Sequence, residues 1–354
     1  MNNLLRHYGF SLGFTAICFA IAAWYGWAST GSITATLGIL WIVLVLSILE
    51  ISLSFDNAVV NATVLRDMDP VWQRRFLTWG ILIAVFGMRI LFPLLVVVIA
   101  AGIGPWAAIK LAALDPRQYG EIMKGAQTSI SAFGGCFLMM VALRYFFDQE
   151  KEVDWIKGLE RRLRGWASLR GIEIAIVLGI AMVFSVALED SKGAEFIFAA
   201  AGGLLTFLIV ELLGQVLDQS VQTTQMAARG GLGAFLYLEV LDASFSFDGV
   251  IGAFALTQNL FLIGIGLGIG AMYVRSMTIM LVEKGTLAEF KYLENGAFWS
   301  ILTLSVIMFA QAMIEVPEYI TGLLGAGFIG LSLWSSLRAR RKAETPAQGR
   351  GAKV

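Results

Sequence analysis

The chain has 354 residues, 58% of them hydrophobic and 15% charged, with a mean hydropathy of +0.75 and a formal net charge of zero. This is more apolar than a soluble domain with one core needs to be, and the balanced charge carries no nucleic-acid signal. Only Cys18 and Cys136 are present, both in apolar stretches, so neither a disulfide framework nor a thiolate metal cluster is expected.

Long uncharged runs follow one another along the chain. The first, Phe10 to Ala28, is long enough to cross about 30 Å of hydrocarbon. Only a short turn, Ser29 to Ser32, separates it from the next run, so it reads as a retained membrane helix rather than a cleaved signal peptide. The pattern predicts about ten membrane helices, near 10–28, 33–65, 76–101, 128–147, 171–188, 195–217, 232–256, 260–282, 297–314 and 319–337. The expected fold class is therefore an all-α polytopic bundle, because these runs are continuous and far longer than the alternating strands of a membrane barrel.

The second predicted helix holds Glu50-Ile-Ser-Leu-Ser54-Phe-Asp56-Asn57, and the seventh holds Asp242-Ala-Ser-Phe-Ser246-Phe-Asp248-Gly249. Carboxylates inside a bilayer are expensive, so an acidic motif at matching places in two halves points to an ion site or pathway. Laying Ser54 on Ser246 carries Glu50 onto Asp242, Asp56 onto Asp248 and the first helix onto the sixth; Arg89 and Arg275 then fall at related places in the third and eighth helices. This predicts two membrane halves, 1–188 and 195–337, followed by a disordered polar tail at 338–354. An odd number of helices per half makes the halves inverted. With the N-terminus cytoplasmic, Arg6, Arg66, Arg74, Arg75, the segment from Lys151 to Arg170, and Arg338, Arg340, Arg341 and Lys342 all fall on the cytoplasmic side, as does the C-terminus.

Glu50, Ser54, Asp56, Asn57, Asp242, Ser246 and Asp248 are the candidate metal ligands. Their carboxylate, hydroxyl and amide oxygens are hard donors suited to Mg²⁺, Ca²⁺ or Mn²⁺; His7 is the only histidine and lies at the N-terminal edge, which disfavours copper and zinc. At about 100° per residue, Glu50, Ser54 and Asn57 share one helix face while Ser52 and Asp56 lie on another. Either Asp56 and Asp248 face another layer, or the helix opens there, which Gly249 and Gly252 favour in the second half. The plainer alternative is that these groups hold helices together, with the acids protonated or paired to Arg89 and Arg275. A paired arginine would also serve a transporter as an exchangeable lid on a cation site. Glu239 groups with Asp242 and Ser246 as a further charge partner. Glu211, Gln215, Asp218 and Gln222 form one polar stripe, and Gln311, Glu315 and Glu318 another; both are vestibule candidates or ordinary solvated helix ends.

The segment from Lys151 to Arg170 is mixed in sign with Trp155, Leu159, Leu163 and Trp166 at roughly helical spacing, so it reads as a membrane-surface helix or a short soluble one. Gly264, Gly266, Gly268 and Gly270 line the eighth helix and invite close packing. No phosphate-binding loop or metalloprotease motif is present, and neither Ser191 nor the motif serines have a histidine base. The expectation is a protein that is not an enzyme and needs no resident cofactor, with transport drawing on ion or proton gradients or on the membrane potential.

These residues also carry a family resemblance. The chain resembles the bacterial TerC-like membrane proteins, most closely the branch called domain of unknown function 475. The family's acid followed by Ser-x-Asp-Asn is Glu50-Ile-Ser-Leu-Ser54-Phe-Asp56-Asn57 here; the second copy has Asp242 in place of the glutamate and Gly249 in place of the asparagine. The likeness covers the membrane region from the first helix to about Trp334. It implies a group of small bacterial inner-membrane transporters that includes exporters of manganese, calcium and amino acids, and a divalent-cation role for Glu50, Asp56, Asn57, Asp242 and Asp248. The founding name comes from tellurite resistance, but tellurite is an oxyanion and a poor fit to a carboxylate-lined site. The expected function is export of a divalent metal cation, first of all Mn²⁺ with Ca²⁺ or Mg²⁺ as alternatives, and with proton exchange as a candidate coupling. The rivals are an accessory or structural membrane protein in metal or tellurite stress response and an exporter of a small amino acid. Expected partners are membrane lipids, the metal ion, and either a second copy of the chain or stress-response membrane proteins.

Overall fold

The computed structural model describes residues 2–149, 151–166, 169, 171–221, 231–285, 289–314 and 316–344, with a few side chains inside helices left outside that description. Among the described residues the chain is entirely helical, with fifteen α-helices and one π-helical stretch. In chain order the first part comprises α1 (Asn2–Thr30), α2 (Ile33–Leu53), α3 (Phe55–Arg66), α4 (Pro70–Leu82), the π-helix Ile83–Leu91, α5 (Phe92–Ala101), α6 (Pro105–Leu114), α7 (Pro116–Gly125) and α8 (Gln127–Phe146). The remainder comprises α9 (Lys157–Trp166), α10 (Ile172–Ala187), α11 (Asp190–Val221), α12 (Leu232–Leu256), α13 (Leu260–Glu283), α14 (Leu293–Gln311) and α15 (Glu318–Glu344).

Helical structure coincides with all ten segments read from the sequence. Among the described residues seven helices, α1, α2, α8, α11, α13, α14 and α15, contain stretches long and apolar enough to cross a membrane, and the α5–α6 pair, bent by 107°, makes an eighth if taken as one span. This defines a multi-pass membrane protein. The predicted 76–101 helix divides into α4, a π-helical stretch and α5, and α10 is apolar but short. Pro93 has no N–H for the carbonyl four residues back, at Arg89, and its ring crowds that carbonyl; the wider π turns lie immediately before it. The tail reading is also corrected: α15 continues to Glu344, so residues 338–344 are helical, while 345–354 lie outside the described residues.

The predicted 33–65 helix is interrupted at Ser54, which ends α2 and precedes α3 with φ −103° and ψ 16°. Its N–H still bonds the Glu50 carbonyl at 3.0 Å, so the interruption does not leave that donor bare. The second motif copy, by contrast, lies in the unbroken α12. Gly249 does not open the helix there. A Cβ at this residue would stand 2.9 Å from Glu50 Oε2, so the glycine lets α12 approach the first motif.

α13 packs against α1, α2, α3 and the π-helix. Its glycine face explains the closeness: a Cβ at Gly266 would collide with Leu46, and one at Gly270 with the Glu50 side chain and the Ser47 carbonyl. A second core joins α8, α11 and α14, where Gly203 abuts the Phe133 carbonyl and Gly135 meets the Phe309 ring. The outward faces are apolar and exposed, as at Trp24, Val186 and Phe198, which is the surface a lipid-embedded bundle presents.

Candidate ion-binding site

Glu50 occupies the last turn of α2, buried against the Gly270 face of α13. Its Oε1 accepts from Arg89 Nη2 and, at 2.9 Å, from the Ser54 hydroxyl. Arg89 reaches it from the π-helix and also donates Nη1 to Asp242 Oδ2 of α12 at 3.4 Å. Asn57 Nδ2 donates to Asp242 Oδ1 at 2.7 Å. The two motif copies thus meet at one guanidinium, itself 2% exposed. The Coulomb attraction is strong at such burial, but so is the desolvation of three charges, and removing one member exposes the others to the full penalty.

Asp56 does not join this group. In the first turn of α3 it turns toward α14, where the Ser300 hydroxyl donates to Oδ2 at 2.5 Å and its own neighbour's N–H, Asn57, donates to Oδ1 at 2.9 Å. Gly325 of α15 closes this contact: a Cβ there would lie 3.0 Å from Ser300 Oγ and 3.4 Å from Asp56 Oδ2. Both arrangements that the sequence offered as alternatives occur in the first copy: the helix is interrupted at Ser54, and Asp56 faces another layer.

A small cavity of about 30 Å³ adjoins Arg89 and Asp242 and is also lined by Asn61, Gly80, Glu239 and Arg275. Arg275 donates to the Phe76 carbonyl, and its guanidinium lies 5.0 Å from the centre of the Phe76 ring. Glu239 Oε1 and Asn61 Oδ1 are buried without a hydrogen-bond partner, as are Asn57 Oδ1 and Ser246 Oγ. Buried acceptors of this kind are uncommon, and their concentration around two carboxylates leaves lone pairs available to a cation or a water. Asn61 follows Asn57 by one helical turn, so the spacing already held that signal; it went unread because the motif was taken to stop at Asn57.

The other candidates lie elsewhere. Glu211 accepts from Arg144 Nη2 at 2.5 Å, and Arg144 also reaches Glu173 at 3.2 Å, a partly exposed network away from the central acids. The side chains of Asp248, Gln215, Asp218 and Glu318, and all of Gln222 and Glu315, lie outside the described residues. Among the described residues no group of three or more His, Cys, Asp or Glu is placed to hold a metal. The described centre is therefore two carboxylates bridged by an arginine, with the unpartnered Oε1 of Glu239 and unsatisfied amide oxygens beside them.

A family model described as protein of unknown function (DUF475) matches residues 55–343. The match opens directly after Ser54, so it contains Asp56, Asn57 and the whole second copy, whereas Glu50 and Ser54 precede it. No curated protein and no solved structure matched the chain.

Proposed function

Since the chain belongs to the DUF475 family of membrane proteins, whose description assigns no activity, we propose from its central acids that it is a secondary transporter exporting a divalent metal cation across the bacterial inner membrane, with Mn²⁺ the first expected cargo. The observation that carries this reading is the Arg89 guanidinium between Glu50 and Asp242, one acid from each motif copy, beside the unpartnered oxygens of Asn57 and Asn61. A guanidinium seated between two carboxylates occupies the place a cargo cation would take. When Arg89 swings away, two carboxylates and two amide oxygens remain, a hard donor set for Mn²⁺, Ca²⁺ or Mg²⁺. Asp248 retains its sequence-based role as a further ligand, and Asp56 becomes the anchor of the broken helix to α14. In this reading the chain crosses the membrane ten times in two inverted halves with both termini cytoplasmic, and rocking of the halves exchanges Arg89 for cargo.

Export of a zwitterion is the rival that the opposite charges of Glu239 and Arg275, lining one cavity, suggest. The hard oxygens gathered around Arg89, those of Glu50 and Asp242 with the unpartnered amide oxygens of Asn57 and Asn61, favour an ion. The deciding experiment is metal flux in proteoliposomes. Wild-type protein should move radioactive Mn²⁺ down its gradient, with Glu50→Gln and Asp242→Asn reducing flux at least about tenfold while still inserting. Absence of Mn²⁺, Ca²⁺ and Mg²⁺ flux in the wild type would overturn the proposal, and competition by amino acids instead of metals would favour the rival.

A further inference from the structure

Glu160 lies in α9, whose sequence Lys-Gly-Leu-Glu-Arg-Arg-Leu-Arg-Gly-Trp is that of an ordinary charged surface helix, yet its side chain is fully buried. Five donors converge on its carboxylate. Oε2 accepts from Lys151 Nζ at 2.5 Å, the Trp155 N–H at 3.2 Å and Asn295 Nδ2 at 2.9 Å; Oε1 accepts from the Ile156 N–H at 3.0 Å and Trp299 Nε1 at 2.9 Å. A carboxylate has about four lone-pair sites, so this one is saturated. Burial alone would raise its pKa, but the Lys151 ammonium and the N–H donors outweigh burial and hold the carboxyl below the usual glutamate range.

The donors come from two places. Lys151, Trp155 and Ile156 belong to the segment before α9, whereas Asn295 and Trp299 are one turn apart on α14. Asn295 Nδ2 also donates to the Val153 carbonyl at 3.0 Å, and Trp155 Nε1 donates to Ser335 Oγ of α15 at 3.1 Å. The residue after Trp299 is Ser300, whose hydroxyl holds Asp56. One helix thus takes a charged clamp and a contact to the broken motif on adjacent residues. A small rotation or sliding of α14 at Trp299 carries Ser300 with it, because successive helical residues are rigidly linked.

We propose that Glu160 is a positioning residue: it fixes the rotation and height of α14 so that Ser300 meets Asp56, and it makes segment 151–166, α14 and α15 move as one body. The importance of Asp56 to transport rests on the function proposed above; the mechanical coupling does not. The test combines hydrogen exchange with flux, using the full chain. Glu160→Gln should speed amide exchange about tenfold or more both in 151–166 and in 293–300, and should lower maximal Mn²⁺ flux at least fivefold with less than a twofold change in the concentration for half-maximal flux. Ser300→Ala should give the same flux defect without deprotecting 151–166, and the double variant should be no worse than Ser300→Ala alone. Trp299→Phe removes a single donor and serves if Glu160→Gln does not insert. Faster exchange confined to 151–166, or additive flux defects, would reduce Glu160 to a loop anchor and overturn the proposal. If the wild type moves no divalent cation, the transport reading falls, while exchange in 293–300 still decides whether Glu160 positions α14.

Discussion

Arg89 presents the sharpest single-residue question, because its guanidinium stands where a transported cation would have to sit. Truncation by Arg89→Ala leaves Glu50 and Asp242 facing each other without a counter-charge, and breaking a buried ion pair costs about 3–5 kcal/mol. The variant should melt well below wild type in detergent, and Mn²⁺ should raise its melting temperature more than it raises that of wild type. Equal metal responses in the two proteins would count against the exchange of arginine for cargo. At this scale the sequence revealed much of the centre: Glu50, Asn57, Asp242 and the two arginines stood out because charge in an apolar run is anomalous. Ser300 and Gly325 did not, since a lone serine or glycine in an apolar helix is ordinary. Glu160 was hidden by the opposite circumstance, a glutamate among arginines on a helix with every mark of a solvated one.

Between elements, the glycine face of α13 sets where α2 and hence Glu50 can lie. Gly270→Ala drives a methyl into the Glu50 side chain and the Ser47 carbonyl, so it should destabilise the protein by about 1–3 kcal/mol and depress flux. Gly264→Ala, whose added methyl would meet only the Ile90 side chain at ordinary contact distance, should stay within about 1 kcal/mol. Melting temperature and flux measured on both variants check this; similar losses in both would mean that α13 needs its glycines for helix flexibility instead. The helical segments were legible from hydropathy, including the matching bounds of α12. Opening of the helix at the first motif was one of two arrangements the sequence left open; the π-helix before Pro93 was not legible, because hydropathy follows the apolar run and not the backbone adjustment that a proline imposes.

Over the whole molecule, the segment from Lys151 through α9 ties the end of α8 to α14 and α15 by an ionised carboxylate. Because the folded pKa of Glu160 lies below its unfolded value of about 4.3, its contribution is complete above that value and is lost as pH falls through the lower folded one. Wild-type stability should therefore decline more steeply than that of Glu160→Gln as pH is lowered from about 6 to 3. Parallel melting curves across that range would show that the carboxylate contributes nothing specific. The broad architecture, a helical membrane bundle, was legible from composition alone, whereas the division of the 76–101 segment and the shortness of α10 were not, since hydropathy marks an apolar run without marking where its helix breaks.

The arginine between the two motif acids has an implication for energetics. A carrier that owns its counter-charge never turns bare acids toward the hydrocarbon when its load departs, so its vacant form can reorient without borrowing a proton or a second ion. A transporter of the kind proposed would then run downhill in either direction as the gradient dictates, with one-way export imposed by the membrane voltage or by a separately bound ion.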